Sequence, residues 1–134
     1  MSEKGTFYTI SELASMFDVS SRTIRYYEEI GMLTSETRES LTKQRCYSNR
    51  ERRRLKMILR GKKLGFSLQE IKEMVALYES NPEGTEEKKR IIELANQKVQ
   101  EIEEQILELQ ILKEEILSHK SRFLQENIEQ KSRK

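Results

Sequence analysis

One pattern constrains this chain more than any other. Ile92, Ala95, Val99, Ile102, Ile106 and Leu109 follow one another in steps of 3, 4, 3, 4 and 3, the seam of a heptad helix. Beyond Leu109 the strict frame meets Lys113, Ile116, Lys120 and Phe123. A competing frame through Leu112 needs two consecutive three-residue steps, a local stammer. A helix over 85–125 extends about 60 Å at 1.5 Å per residue. No other segment is long enough to cover it, and an apolar stripe of that length left bare is an aggregation hazard. The stripe therefore calls for a second copy, a homodimer joined through Ile92, Ala95, Val99, Ile102, Ile106, Leu109 and Ile116. The rival is a matching helix in a different protein.

Of the 134 residues, 36% are charged and 35% hydrophobic, too polar for one large core and too regular for disorder. A small domain with an extension fits: a head over 1–80, the helix 85–125 and a polar tail over 126–134. One proline and five glycines favour long helices. No run of about 18 apolar residues predicts a membrane span. The opening MSEKGTFYTI lacks the apolar stretch of a secretory signal, so the chain is expected in the cytoplasm. A single cysteine, Cys46, excludes an internal disulfide and a multi-cysteine metal site within one chain. No metal and no cofactor are expected.

The net charge of +2 hides an asymmetry: residues 38–63 hold 11 Lys/Arg against 2 Asp/Glu. Such a concentration suits a polyanionic partner, or simply a solvated helix surface.

Helix starts are marked by hydroxyl–carboxylate pairs three residues apart, in which each side chain serves the other's backbone N–H. Thr9 with Glu12, Ser48 with Glu51 and Ser67 with Glu70 fit this spacing, and Thr85 precedes Glu86 and Glu87 at a positive helix end. Gly31, Gly65 and Asn81–Pro82 with Gly84 mark stops. The pattern predicts helices over 9–17, 21–30, 49–63, 68–80 and 85–125. The first two, separated by about three residues, read as a helix-turn-helix whose second member enters the major groove. The stretch 33–47 fits either a surface loop or a two-stranded hairpin with its tip near Arg38 to Leu41.

The second of these helices, SSRTIRYYEEIG, carries two faces. At 100° per residue Arg22, Arg25, Tyr26 and Glu29 share one side, and Ile24 and Tyr27 point to the other. Cations beside a phenol suit phosphate binding. Arg25 also stands four residues before Glu29, the spacing of an ordinary intrahelical ion pair.

The succession TISELASMFDVSSRTIRYYEEIGML, RCYS and MILRGKKLGFSLQEI resembles the MerR family of bacterial transcription regulators. The likeness is close over about 7–80 and holds in kind for the long helix. It implies a mainly α fold, a winged helix-turn-helix DNA-binding domain followed by a long antiparallel dimerising coiled-coil helix. It also implies a function: the dimer binds a palindromic operator in a promoter spacer and distorts the duplex, acting on RNA polymerase indirectly through DNA. By position, the recognition helix would contribute Ser21, Arg22, Thr23, Arg25, Tyr26 and Tyr27 to double-stranded DNA. The wing would contribute Arg45 and Tyr47, the family's R-x-Y element, and the end of the third helix Lys62. Most would bind phosphate and set register. Arg52, Arg53, Arg54 and Lys56 are expected to be solvated.

The resemblance extends to effectors. Metal-sensing members carry cysteines at the start of the dimer helix and in a loop beyond it, where this chain has none. The form ILRGKKLGFSLQEIKEMVALYE is similar to the subgroup regulating leucine, isovalerate and short-chain acyl breakdown, which implies an acyl-CoA or related metabolite as inducer. Cys46 reads as an inert small residue, and His119 as a surface group.

An enzyme lacks its parts here: no Gly-rich phosphate loop, no Cys/His cluster and no serine with a histidine partner. A coiled-coil protein-interaction adaptor without specific DNA binding is the alternative, against which Arg22, Arg25 and Arg45 speak.

Overall fold

The computed structural model describes residues 6–37 and 45–132. It comprises β1 (Phe7–Thr9), α1 (Ile10–Phe17), α2 (Ser21–Glu29), β2 (Glu36–Thr37), β3 (Arg45–Ser48), α3 (Asn49–Lys63), α4 (Leu68–Ser80) and α5 (Thr85–Ser132). The chain forms two compact units, Met1–Lys88 and Lys89–Lys134.

In the first unit the caps act as their spacing demands. Thr9 and Glu12 form a reciprocal box at α1, and Ser67 and Glu70 do the same at α4. At α3 only half of the expected box exists. The Ser48 hydroxyl accepts from Glu51 N–H, but the Glu51 carboxylate turns away to accept from Thr34 N–H at 2.7 Å. That carboxylate is nearly buried, and it ties the segment after α2 to the start of α3. Between α1 and α2 the chain reverses at Asp18, whose φ of 54° closes α1, and Ser20 caps α2 by accepting from Thr23 N–H at 3.1 Å. Gly31, at φ +80°, ends α2 in the left-handed conformation that side chains resist.

The stretch 33–47 does contain a hairpin. β2 pairs antiparallel with β3, Glu36 opposite Cys46 and Thr37 opposite Arg45; the expected tip from Arg38 to Leu41 lies outside the described residues. β3 also pairs with β1, Tyr8 opposite Tyr47, giving a sheet of order β1-β3-β2. The strand β1 was not anticipated, because three residues are too few to show alternation. Leu13, Ile24, Tyr27, Leu33, Tyr47, Leu55, Ile58 and Ile71 form the centre of the core. Thus α1, α2, the wing and α3–α4 share one interior.

The second unit holds α5 from Lys89 onward. It continues through Ser132, past residue 125 where a polar tail was expected to begin. The segment from Gln125 to Lys131 contains neither glycine nor proline and is rich in Glu, Gln and Lys, residues that lose little rotamer freedom in a helix. The seam positions Ile92, Ala95, Val99, Ile102, Ile106, Leu109 and Ile116 are all exposed in the single chain, and exposed apolar residues continue to Phe123, Leu124 and Ile128.

Candidate nucleic-acid interface

The two faces of α2 separate as the helical period requires. Ile24 and Tyr27 are 0% and 6% exposed, whereas Arg22, Arg25, Tyr26 and Glu29 face solvent. Tyr27 is a packing residue; burial, reinforced by Tyr26, raises the pKa of its phenol. Its ring lies 5.5 Å from that of Tyr26 at an angle of 59°. No ion pair joins Arg25 to Glu29 among the described residues, so that guanidinium is not consumed within the helix. The Thr23 hydroxyl shares a hydrogen bond of 2.9 Å with the capping Ser20, and Ser21 is half-buried in the first turn.

The wing reaches α2 through one carboxylate. Glu28 Oε1 accepts from the Tyr47 hydroxyl at 2.6 Å, and Oε2 accepts from the Ser35 hydroxyl at 2.6 Å and from Arg45 Nη1 at 3.2 Å. Burial pushes the Glu28 carboxyl up, but the hydrogen bonds from Ser35 and Tyr47 and the Arg45 charge outweigh it, leaving its pKa below the ordinary value. The same burial and hydrogen bond raise the Tyr47 phenol. Arg45 and Tyr47 therefore differ in kind. The Arg45 side chain is 68% exposed and keeps donors to spare, whereas Tyr47 is buried, its hydroxyl committed to Glu28. Tyr47 thus lies inside the domain, behind the surface that Arg45 shares.

Lys62 is exposed in the last turn of α3, with no hydrogen bond to α2 or β3 among the described residues. Of the α3 cations expected to be solvated, Arg54 is not: it is paired with Glu79 of α4. Arg52 donates to Asn49 Oδ1. Glu28 escaped the sequence reading, although one signal was present. It stands four residues after Ile24, so an acid occupies the inward stripe of the helix. Cys46 is buried, its thiol donating to the Glu36 carbonyl at 3.3 Å.

The sequence matches the family described as MerR HTH family regulatory protein over residues 8–77, and the one described as MerR, DNA binding over 52–119. The chain belongs to the MerR family. It is 38% identical over 104 residues to the HTH-type transcriptional regulator ZntR of Escherichia coli (strain K12), covering 77% of this chain and 71% of that protein. It is 32% identical over 101 residues to the heavy metal-dependent transcription regulator 2 of Rhizobium meliloti (strain 1021), covering 75% and 66%. Its fold matches the crystal structure of HiNmlR, a MerR family regulator lacking the sensor domain, bound to promoter DNA. The TM-score is 0.55 at 23% identity, over 78% of this chain and 76% of that one. As a MerR-family member the chain is a helix-turn-helix DNA-binding transcriptional regulator.

These relatives correct the expectation of an acyl-responsive subgroup and of an acyl-CoA or related metabolite as effector. The chain sides instead with ZntR and with a regulator named for heavy metals. The segment that suggested the acyl subgroup is α3–α4, whose Leu55, Ile58, Ile71 and Val75 build the core of the DNA-binding unit. The chain's single cysteine is buried in β3 and its single histidine is His119, and within one copy the described residues hold no group of three or more His, Cys, Asp or Glu that could bind an ion. No described helix is long and apolar enough to cross a membrane.

Proposed function

We propose that the chain acts as a homodimer that binds a palindromic operator within a promoter spacer and distorts the duplex to control transcription. One observation carries the DNA contact: α2 turns Arg22, Arg25 and Tyr26 outward while Ile24 and Tyr27 anchor it in the core. A helix so fixed presents cations to a groove without losing side-chain order elsewhere. Arg45 extends the same cationic surface from the wing, and Lys62 offers a further backbone contact. The HiNmlR chain of the same fold, bound to promoter DNA, supports this reading.

The bare seam of α5 supports the dimer. Val99, Ile102, Ile106 and Leu109 are 40–64% exposed in a single copy, and an antiparallel partner would cover them. Two heads then face two half-sites, and bending the duplex between them costs on the order of a few kcal/mol, offset by added contacts. Polymerase senses the result through the DNA. A regulator of this kind works in the bacterial cytoplasm.

Selection of a random duplex library by the full chain tests the reading. Enrichment of an inverted repeat is expected, together with loss of its binding in Arg22→Ala at unchanged dimer mass. Failure to enrich any sequence would overturn it.

A further inference from the structure

We propose that Glu28 is a positioning residue that sets sequence specificity, by holding the wing's Arg45 in one orientation beside the recognition helix. This rests on the DNA-binding reading above.

The placement of an acid here needs a reason. A carboxylate just behind a surface that meets a polyanion repels it, and here it also offsets the charge of a neighbouring arginine. Affinity alone argues for its removal. Its contacts argue otherwise. One side chain of α2 collects donors from the segment after α2 (Ser35, 2.6 Å) and from two positions of β3 (Tyr47, 2.6 Å; Arg45, 3.2 Å). Tyr47, locked in the core at 1% exposure, fixes where the carboxylate stands. The carboxylate in turn accepts from one edge of the guanidinium, Arg45 Nη1. An arginine has five N–H donors, so those left over point in a direction set by α2 itself. A phosphate reached from that direction locks the register in which the α2 side chains meet base edges.

Glu28 thus gives up attraction to any duplex and gains discrimination between duplexes. The two effects have opposite signs, and that separates this role from simple support of the fold. Loss of support would weaken all binding together.

The test uses the full chain, the duplex enriched by selection and a shuffled duplex of equal length, with affinities read by fluorescence anisotropy at several salt concentrations. In Glu28→Gln, binding to the selected duplex should weaken about tenfold, the scale of one charged hydrogen bond. Binding to the shuffled duplex should tighten, with a steeper salt dependence, because Arg45 is released. Tyr47→Phe keeps the charge and removes one donor. It should lower the ratio of selected to shuffled affinity without tightening shuffled binding. An unchanged ratio in either folded variant, or equal weakening on both duplexes, overturns the proposal while leaving DNA binding intact. If Glu28→Gln fails to fold by circular dichroism, Tyr47→Phe decides alone. Absence of any selected duplex for the unaltered chain removes the DNA-binding reading itself, and this proposal with it.

Discussion

The Arg54 guanidinium grips the Glu79 carboxylate at two points, Nε to Oε2 at 2.7 Å and Nη2 to Oε1 at 2.5 Å, fastening α3 to α4. Arg50 adds a third contact to Glu79 at 3.1 Å. Both partners of the main pair are about four-fifths withdrawn from water, at 20% and 22% side-chain exposure, so the pair escapes the screening that makes surface ion pairs weak. Arg54→Ala leaves the carboxylate with only the exposed Arg50. The expected loss is about 1–3 kcal/mol, read as a lower urea midpoint at unchanged slope. Lys56→Ala, exposed on the same helix, should lower the stability by less than about 0.5 kcal/mol.

Acid should act through two carboxylates. The Arg54 hydrogen bond, opposed by burial and aided by Arg50, holds the Glu79 carboxyl below its ordinary value of 4.5, and Glu28 is also lowered. The unfolded chain then binds more protons than the folded one wherever these groups titrate, so stability rises with pH there. Their contribution is complete above about pH 4.5 and is lost as pH falls through the lower folded-state values. Urea midpoints measured downward from pH 7 should fall in that acid range. The Glu28→Gln, Glu79→Gln double variant should start lower and show a flatter acid limb.

Gly61 is a point of close approach. A Cβ placed there would stand 2.7 Å from Ile71 Cγ1, a branch that cannot swing away within the core. Gly61→Val should therefore destabilise by roughly 2–3 kcal/mol through overpacking between α3 and α4. Thermal unfolding of the purified variant checks this, and the double variant Gly61→Val, Ile71→Ala should cost less than the sum of the two single changes.

On α5, Ile106 sits mid-seam and is half exposed in the single chain. Ile106→Lys places a charge where a second helix should pack. Sedimentation at micromolar concentration is expected to report the dimer for the unaltered chain and the monomer for this variant. A dimer in both would assign the assembly to another surface.

What the sequence disclosed and what it hid divide by range. The faces of α2 were legible because Ile24 and Tyr27 recur at the helical period, and the starts of α1 and α4 because each box closes within four residues. The wing was ambiguous, since β2 is two residues long and its partner lies beyond a polar stretch. The roles of Glu28 and Arg54 were hidden for a different reason. Their partners stand 7, 17 and 19 residues away for Glu28, and 25 for Arg54, and a charge says nothing about a partner so distant. The acyl assignment leaned on α3–α4 alone, part of which, Leu55, Ile58, Ile71 and Val75, packs the core.

The salt dependence of operator binding tests the central claim most directly. If two heads together neutralise about eight phosphates, the log–log slope should lie near −7, and Arg22→Ala, which removes one cation from each head, should bring it to about −5. A flat response, or a slope that Arg22→Ala leaves unmoved, would contradict a duplex held by the cationic face of α2.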